Sequence, residues 1–477
     1  MSKRDIKPDI CVIGAGAGGL SVAAGAAMLD RDTGLFEYGE MGGDCLNYGC
    51  VPSKAILTAA KEAARPAKLG KLGLTSNGVT PDFPAVMGHV REAIKKIEPN
   101  DSQERFEGMG CTVIREKAYF TGPKTVESDT TRVTARRFVL ASGAAPFIPP
   151  IAGLGESNYL TNETIWGLKE LPEHLAIIGG GPIGMELGQA FRRLGSQVTV
   201  IEAFQPLGRE EPEHAELVIE AIKAEGVEVL SGAKATSVRN TDTGVAIDVA
   251  IGAETRTIDA SHLLVAVGRA PRVEGLGLEE AGVEYDRRGV KTKATLQTTN
   301  KRVYAVGDVT GRAMLTHAAG FHASCVVRHM LFRTPTNVDA TPMPAAVYTD
   351  PELARVGLTE AEAKEQYGDK IRVARWSFDE NDRAIAEKDE RGGTKVITDA
   401  KGRILGASIV GAAAGDLIQI FGVAMSAKGA SIRTLTGYIA PYPTRGEAVK
   451  RTASAWYTPI VFGDKTKKLI SLLARIP

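Results

Sequence analysis

Two stretches of the chain repeat one pattern of apolar and small residues. Each opens with a short apolar run, passes through a glycine-rich turn, and continues with apolar residues at helical spacing. The first reads DICVIGAGAGGLSVAAGAAMLD and the second reads HLAIIGGGPIGMELGQAFRRLGSQVTVIEA. A short apolar run that ends in glycines is typical of a buried strand entering a tight turn. The pattern therefore predicts a strand, a glycine turn and a helix, and it predicts them twice.

The glycines of both turns have the G-x-G-x-x-G spacing of a dinucleotide-binding loop. The first glycine permits the tight turn, the second lets the backbone approach a pyrophosphate, and the third allows close packing of helix on strand. Free N–H groups at the start of the helix would face the phosphates. About 20 residues further on, a second apolar run ends in a glutamate that would bind a ribose hydroxyl. The residues are Gly14, Gly16, Gly19 and Glu37 in the first stretch, and Gly179, Gly181, Gly184 and Glu202 in the second.

Two complete loops predict two dinucleotides in one chain, which suggests an electron relay from a nicotinamide to a flavin. The first loop, which is followed in the sequence by two closely spaced cysteines, Cys45 and Cys50, is expected to hold the flavin, and the second loop the nicotinamide. Glu202 would repel a 2′-phosphate, so the sequence favours NAD over NADP. The nearby cations of Arg192, Arg193 and Arg209 could weaken that preference.

The length, net charge and number of cysteines fit a multidomain enzyme better than a protein that binds nucleic acids or membrane surfaces. A length of 477 residues allows about three or four domains. The net charge of +1 argues against partners such as nucleic acids or membrane surfaces. Five cysteines do not make a disulfide scaffold, which favours a cytoplasmic location. The longest weakly charged stretch, 404–425, is interrupted by Asp416 and Gln419 and predicts a buried strand followed by a helix.

The segment GGDCLNYGCVPSK, at 42–54, places Cys45 and Cys50 close together. A disulfide needs Cα atoms about 4.4–6.8 Å apart, whereas a helical separation of five residues rises about 7.5 Å. The pair must therefore span a non-helical turn, for which Gly49 supplies the freedom. Pro52 suits the first position of the next helix, which puts Cys50 at or just before its N-terminus. The partial positive charge there favours a thiolate. A metal site would need further Cys or His ligands, and the sequence offers none nearby.

With these motifs, the chain resembles the class I pyridine nucleotide–disulfide oxidoreductases, a family that includes dihydrolipoamide dehydrogenase and mercuric reductase. The resemblance runs from Gly14 to about Ala453, and GGDCLNYGCVPSK is its most specific part. It implies an α/β fold with two Rossmann-like dinucleotide-binding domains, the nicotinamide domain being inserted in the flavin domain, and an α+β C-terminal dimerisation domain. The expected boundaries are 1–150 for the first part of the FAD domain, 151–272 for the NAD(P) domain, 273–343 for the return to FAD, and 344–477 for dimerisation.

The resemblance also implies roles for individual residues. Cys50 would lie against the flavin as the charge-transfer thiolate, and Cys45 would exchange with the substrate. Lys54 would reach the flavin and pair with Glu186, and Asp308 would meet the ribityl chain. Further cofactor contacts are expected in motifs that resemble the crossings between the nucleotide domains and in the loop before Cys45, at Gly43, Ser142, Gly143 and Gly268.

Near the C-terminus the chain departs from the family pattern. Most members carry a histidine where this chain has Tyr442 in APYPTRGEAVKRTA, and a glutamate follows, here Glu447. Unperturbed histidine titrates near pH ~6.5 and tyrosine near ~10, so Tyr442 should be neutral at pH 7 and poorly suited to carry the proton. Glu447 is either what remains of the family's catalytic pair of histidine and glutamate, or part of a capping box with Thr444.

The residues and the resemblance together predict an FAD-dependent enzyme that passes electrons from NADH through Cys45–Cys50 to a small disulfide, dithiol or electrophile. A homodimer is expected. One alternative is a metal-ion reductase like mercuric reductase, although the chain lacks that enzyme's C-terminal cysteine pair. Another is a flavin-bearing redox sensor or interaction subunit with incidental turnover. The helix with His317 and His322 could contact a soft metal or substrate, or be purely structural; no metal site is predicted.

Overall fold

The computed structural model describes residues 3–427, 429 and 431–476, which form two compact units. The first unit contains the chain up to Ala60, then 80–203 and 232–341. The second contains 61–79, 204–231 and the chain from Pro342 onward. Each unit is thus assembled from segments that are far apart in the sequence.

A parallel sheet of five strands forms the centre of the first nucleotide fold. Its middle strand, Ile10–Ile13, is completely buried, as expected for a parallel strand covered on both faces. The helices Ala17–Ala27 and Thr316–Leu331 pack together against this sheet through small and apolar side chains. In spatial order the strands are Val303–Ala305, Arg137–Leu140, Ile10–Ile13, Thr33–Phe36 and Cys111–Ile114.

A second parallel sheet repeats this arrangement around the inner glycine loop. Within the first unit its strands, in spatial order, are Tyr159–Leu160, His262–Val265, His174–Ile178 and Gln197–Glu202. The helix Pro182–Leu194 follows the glycine loop. An antiparallel sheet lies between the last two parallel strands in the sequence, with strands Ala233–Thr241, Gly244–Ile251 and Glu254–Ala260.

The chain leaves and re-enters the first nucleotide fold through two short antiparallel strands, Ala144–Pro146 and Arg269–Pro271. These are the segments in which the sequence predicts the crossings between nucleotide domains. The other helices and strands of this part of the chain are Arg4–Ile6, Gly43–Asn47, Cys50–Ala64, Phe83–Ile97, Gln103–Gly108, Tyr119–Gly122, Thr125–Glu127, Thr131–Thr134, Tyr285–Asp286 and Gly289–Val290.

The second unit is built on an antiparallel sheet of five strands. Its buried strand Ile404–Gly411 is followed by the helix Ala414–Ser426, as predicted for the stretch 404–425. The other strands of the sheet are Pro344–Val347, Glu352–Gly357, Ile371–Ser377 and Gly393–Asp399, and one further strand of this unit is Glu228–Ser231. Its further helices are Pro66–Leu69, Pro212–Ala224, Glu360–Tyr367, Asp382–Ala386, Ile432–Gly437, Glu447–Val461 and Asp464–Leu473.

This architecture confirms the α/β fold class expected from the sequence. Among the described residues, no helix is both long enough and apolar enough to cross a membrane. The apolar run near the N-terminus is a buried strand, as predicted, and Cys11 within it is fully buried as a small core residue.

Candidate active site

The three glycines of the first loop differ in their steric surroundings. Gly14 has a φ of +105°, and a Cβ there would overlap the carbonyl oxygen of Ala141. A Cβ on Gly19 would overlap the carbonyl oxygen of Gly14, so the helix can approach the turn only without a side chain. At Gly16 the nearest atom to an added Cβ is 3.9 Å away, which leaves this part of the backbone open. The loop therefore fits a pyrophosphate at its second glycine.

The second loop has the same geometry. Gly179 has a φ of +114° and lies against the backbone of Ala266, and a Cβ on Gly184 would overlap the carbonyl oxygen of Gly179. Nothing lies within 4 Å of a Cβ built on Gly181. Because both loops are closed at their first and third glycines and open at the second, both fit a dinucleotide.

The two predicted ribose-binding glutamates are held at their loops by backbone N–H groups. Glu37 Oε2 accepts a hydrogen bond of 2.7 Å from the N–H of Ala15, between the first two glycines. Glu202 Oε2 accepts a hydrogen bond of 2.7 Å from the N–H of Gly180, at the equivalent place in the second loop. Each carboxylate is thus positioned beside the turn that would hold the pyrophosphate.

The remaining predicted cofactor residues lie close to the glycine loops: Gly43, Ser142 and Gly143 near the first, and Gly268, two residues after Ala266, near the second. Gly43 has a φ of +60°, and an added Cβ would be 2.7 Å from the Cα of Gly16, so the cysteine segment can touch the loop only through glycine. Ser142 Oγ donates to the carbonyl oxygen of Arg272 over 2.8 Å. Gly143 and Gly268 have φ values of +71° and +134° and open space around an added Cβ.

Cys45 and Cys50 lie on two different helices. The helix Gly43–Asn47 carries Cys45, and the helix Cys50–Ala64 begins with Cys50 itself. A Cβ on Gly49 would be 2.8 Å from a carboxylate oxygen of Asp44, so glycine leaves room for this carboxylate in the turn between the helices. The non-helical turn is as the spacing predicts. The second helix begins two residues before Pro52, because proline is also tolerated later in the first turn, where no N–H partner is needed.

The electrostatic environment distinguishes the two thiols, which are both free in the structure. The pKa of Cys50 is lowered to about 6, chiefly by a hydrogen bond from Cys45, although burial opposes this shift. The Thr316 hydroxyl, 3.1 Å from the sulfur, and the charge of Lys54 lower it further. The pKa of Cys45 is raised by the hydrogen bond to Cys50, by burial and by the negative charge of Cys50. Cys50 therefore holds the thiolate at neutral pH, and Cys45 stays protonated beside it.

An ion pair joins the cysteine helix to the second nucleotide fold. Lys54 Nζ lies 2.9 Å from Oε2 of Glu186, whose side chain is only 8% exposed. Glu186 belongs to the helix Pro182–Leu194, which follows the second glycine loop. The pairing implied by the family resemblance is therefore present in this chain.

Arg269 bridges two carboxylates, an arrangement that was not anticipated from the sequence. Its Nη1 lies 3.0 Å from Oδ2 of Asp44 and 3.2 Å from Oδ2 of Asp308. Burial raises the pKa of Asp308, and the charge of Arg269 works against that shift. One guanidinium thus links the residue before Cys45 to the residue predicted at the ribityl chain. Because Arg269 and Asp44 are far apart in the sequence, the sequence alone does not predict this contact.

The combination of two dinucleotide loops with a differentiated thiol pair agrees with the comparison to known families. Residues 8–323 match "Pyridine nucleotide-disulphide oxidoreductase", and residues 343–453 match the dimerisation domain of the same family. The chain belongs to this family. It is therefore an oxidoreductase that acts on sulfur groups, in a family whose members bind a flavin and a pyridine nucleotide.

Several relatives match over almost the whole chain. A mercuric reductase of Lysinibacillus sphaericus is 32% identical over 93% of this chain and 82% of its own length. A dihydrolipoyl dehydrogenase of Synechocystis is 34% identical over 94% of this chain and 98% of its own length. The structure of RclA from Escherichia coli, a "HOCl-induced flavoprotein disulfide reductase" solved as a Cu(II) complex, has a TM-score of 0.83. The sequence of RclA is 27% identical to this chain, and the match covers 93% of this chain and 99% of RclA.

In the second unit, the segment that departs from the family pattern has its own hydrogen bonds. Tyr442 is 69% exposed, and its hydroxyl donates to Oδ2 of Asp382 over 2.7 Å. That hydrogen bond and the negative charge of Asp382 raise the pKa of Tyr442. The phenol is therefore neutral at pH 7, as the ordinary value of tyrosine predicts.

The capping box considered for Glu447 is wrong. The helix Glu447–Val461 has Gly446 at its N-cap position, without a side-chain cap. Thr444 Oγ1 instead donates to the carbonyl oxygen of Pro441 over 2.7 Å. Glu447 pairs with Arg451, one turn along the helix, at 2.9 Å.

The two histidines of the helix Thr316–Leu331 differ in their surroundings. His322 is buried, and its Nδ1 accepts from the N–H of Gly307 over 3.2 Å. Burial lowers the pKa of His322 to about 4, so it is neutral and structural. His317 is exposed. Across residues 3–427, 429 and 431–476, no group of three or more His, Cys, Asp or Glu side chains could hold a metal ion.

Proposed function

We propose that this chain uses NADH to reduce Cys45–Cys50 and then passes the electrons to a small thiol-reactive acceptor. The observation that carries the proposal is the lowered pKa of Cys50, about 6, in a thiol pair next to a glycine loop that fits a dinucleotide. Bound FAD would supply the two-electron carrier between nicotinamide and disulfide. For a disulfide acceptor, NADH, a proton and the disulfide give NAD⁺ and two thiols.

The two cysteines have different tasks in this reaction. Cys45 gives up its proton as it attacks a sulfur of the acceptor; the acceptor disulfide breaks, a mixed disulfide with Cys45 forms, and the displaced sulfur takes up that proton and leaves as the first thiol. Cys50, held as the thiolate, then attacks Cys45, releases the second thiol and restores the intramolecular disulfide. The second step is favoured by a more acidic thiol at Cys50, and the lowered pKa of Cys50, caused by the hydrogen bonds from Cys45 and Thr316 and by the charge of Lys54, supports this order.

We propose NAD as the preferred nicotinamide cofactor, because Glu202 stands at the end of the second nucleotide strand. Its carboxylate would bind a ribose 2′-hydroxyl and repel a 2′-phosphate. The measurement is kcat/KM with NADH and with NADPH on the same preparation, with Glu202→Gln as a matched variant. We expect NADH to be preferred and Glu202→Gln to reduce the preference. Equal or better use of NADPH by the unaltered protein would overturn this assignment.

The acceptor is proposed to be a small disulfide, dithiol or other electrophile, with weak turnover of lipoamide and glutathione disulfide. Tyr442 lacks the titration of a histidine near neutral pH, so the exchange of protons with thiols should be slow. The second candidate is a metal ion, because the relatives include mercuric reductases and the similar structure of RclA is a Cu(II) complex.

One experiment separates these candidates. The purified holoenzyme is supplied with NADH and, in turn, lipoamide, glutathione disulfide, Hg(II) and Cu(II). Cys45→Ser should abolish every true acceptor reaction while leaving reduction of the flavin by NADH intact. Fast turnover of Hg(II) or Cu(II) alone favours the metal-ion reductase. Failure with the whole panel, despite rapid flavin reduction, favours the redox sensor.

We further propose an isologous homodimer in which each site is completed by Tyr442 of the partner subunit. The dimerisation domain that matches residues 343–453 supports this assembly. Sedimentation at micromolar concentration tests it, and a fully active monomer would contradict it.

A further inference from the structure

The helix Asp464–Leu473 is the most exposed apolar element among the described residues. Every one of its side chains is exposed except Thr466, which is half-buried. Leu469, Ile470, Leu472 and Leu473 have between 48% and 60% of their surface exposed, and Ile476, just beyond the helix, has 66%. A helix of this length is marginal in water unless a surface covers its apolar side. The exposed residues therefore need an occupant.

The spacing of these residues concentrates them on one side of the helix. Leu469, Leu472, Leu473 and Ile476 recur at i, i+3, i+4 and i+7, which is the period of an amphipathic helix. Lys468 and Arg475 are one turn away from Leu472 and border this side, Lys467 and Ser471 have the spacing of the opposite side, and Lys465 lies one turn before Leu469. The net charge of +1, which argues against a membrane surface for the chain as a whole, does not describe this segment, because Asp464 is its only acidic residue.

Beyond the proposed function, we infer that this C-terminal helix docks the enzyme on an anionic membrane surface, lying in the plane of the headgroups. Apolar side chains of this kind enter the boundary of the acyl region, while lysines and arginines extend to lipid phosphates. The inference concerns surface attachment by a basic amphipathic helix, which requires no span of the bilayer.

The charges favour a lipid surface over a second copy of the same helix. In a two-fold contact the same surface meets itself, which would bring the lysines of one copy towards cations of the other. The match to the dimerisation domain ends at residue 453, before this helix begins. Anionic headgroups supply the complementary charge, and each Lys or Arg near such a surface adds to the attraction.

One helix of this length binds weakly, and the proposed homodimer would present two. When both helices of a dimer bind one membrane, the second binding event is intramolecular. The overall affinity therefore rises, although each helix makes the same contacts as it would alone. Binding should therefore be reversible and sensitive to salt.

The test is flotation of the full-length holoenzyme with vesicles of phosphatidylcholine, with and without phosphatidylglycerol. We expect at least about tenfold stronger partitioning to the anionic vesicles, and release as the salt rises from about 0.1 M to about 0.5 M. Lys467→Glu/Lys468→Glu and Leu469→Ser/Leu473→Ser should each reduce partitioning by at least about tenfold. Reduction of the flavin by NADH should be unchanged in both variants.

Two control variants make the same chemical changes elsewhere. Lys95→Glu/Lys96→Glu reverses two exposed lysines of the helix Phe83–Ile97, and Leu72→Ser/Leu74→Ser removes two leucines that are 51% and 54% exposed. Both should still bind vesicles. Equal binding to neutral and anionic vesicles, or full binding by Lys467→Glu/Lys468→Glu, overturns the inference. So does an effect of Leu469→Ser/Leu473→Ser on the monomer–dimer equilibrium without vesicle binding, since the helix would then belong to the dimer interface.

Discussion

At the scale of single residues, the lowered pKa of Cys50 predicts the pH range in which the reduced enzyme holds a thiolate. Its pKa of about 6 means that the thiolate is present above this pH and is protonated below it. The rate of alkylation of Cys50 in the reduced protein, followed by mass spectrometry, should rise through pH ~6 and then level off. The long-wavelength charge-transfer absorbance of the anaerobically reduced holoenzyme should follow the same curve.

Thr316→Val provides the matched variant for this titration. It removes the hydroxyl 3.1 Å from the Cys50 sulfur and keeps the size of the side chain. A hydrogen bond to a charged group contributes about 1.5–3 kcal/mol, so the pKa should rise by roughly one to two units. An unchanged titration would show that Thr316 does not stabilise the thiolate. Retention of the absorbance band by Cys50→Ser would show that Cys50 is the wrong residue.

Tyr442→His should raise turnover with lipoamide and leave reduction of the flavin by NADH unchanged. The new imidazole titrates near neutral pH and can carry the proton that a phenol holds too tightly. Its orienting carboxylate would be Asp382, which already binds Tyr442, since Glu447 is paired with Arg451. Stopped-flow and steady-state measurements separate the two half-reactions.

Tyr442→Phe is the control, because it removes the hydroxyl without adding a titrating group. We expect it to resemble the unaltered enzyme with disulfide acceptors. A marked loss of turnover would show that the phenol itself moves the proton. Turnover of lipoamide by the unaltered enzyme at about 10² per second would likewise refute the argument from Tyr442.

At the scale of elements, Arg269 joins the helix Gly43–Asn47, through Asp44, to the turn that contains Asp308. Arg269→Gln would leave Asp44 and Asp308 facing each other without the shared cation. Because these groups are largely buried, we expect the free energy of unfolding to fall by on the order of 2–3 kcal/mol, with weaker retention of FAD. Urea unfolding and the ratio of flavin to protein absorbance measure the two effects.

Asp44→Asn distinguishes the charge from the shape at this position. It keeps the size of the side chain and leaves Arg269 paired with Asp308, so its effect should be smaller than that of Arg269→Gln. If Arg269→Gln retains both the stability and the flavin of the unaltered protein, the bridge has no part in holding these elements together.

Elements defined by local sequence were predicted well, and contacts between distant segments were not. The glycine loops follow from spacing because the first and third glycines of each loop meet backbone of the same loop or of the segment directly after an adjoining strand. The ion pair between Lys54 and Glu186 could be predicted only from the resemblance to the family. Arg269 was missed because its partners are far away in the sequence. The predicted capping box is wrong because Thr444 Oγ1 donates to the carbonyl oxygen of Pro441 and Gly446 occupies the N-cap position.

At the scale of the whole molecule, a buried ion cluster holds together distant segments of the second unit. Lys395 is 3% exposed on the strand Gly393–Asp399, and its Nζ lies 2.7 Å from Glu211, 2.9 Å from Glu213 and 2.8 Å from Glu360. Burial opposes its charge, but the three carboxylates raise the pKa of Lys395. In the sequence, GREEPEH around Glu211 reads as an exposed charged run, so this cluster could not be predicted.

Lys395→Met should therefore destabilise the second unit, because it leaves Glu211, which is 2% exposed, buried without its cation. Removing one partner of a buried ion pair costs about 3–5 kcal/mol. Arg375→Gln is the matched control, since Arg375 pairs with Glu213 and Glu360 but is half exposed, and an exposed pair contributes about 1 kcal/mol or less. Urea unfolding followed by circular dichroism should resolve this difference. Equal stability of the two variants would mean that Glu211 finds another partner or takes up a proton. The segment around Glu211 would then be held by its apolar contacts rather than by the ion cluster.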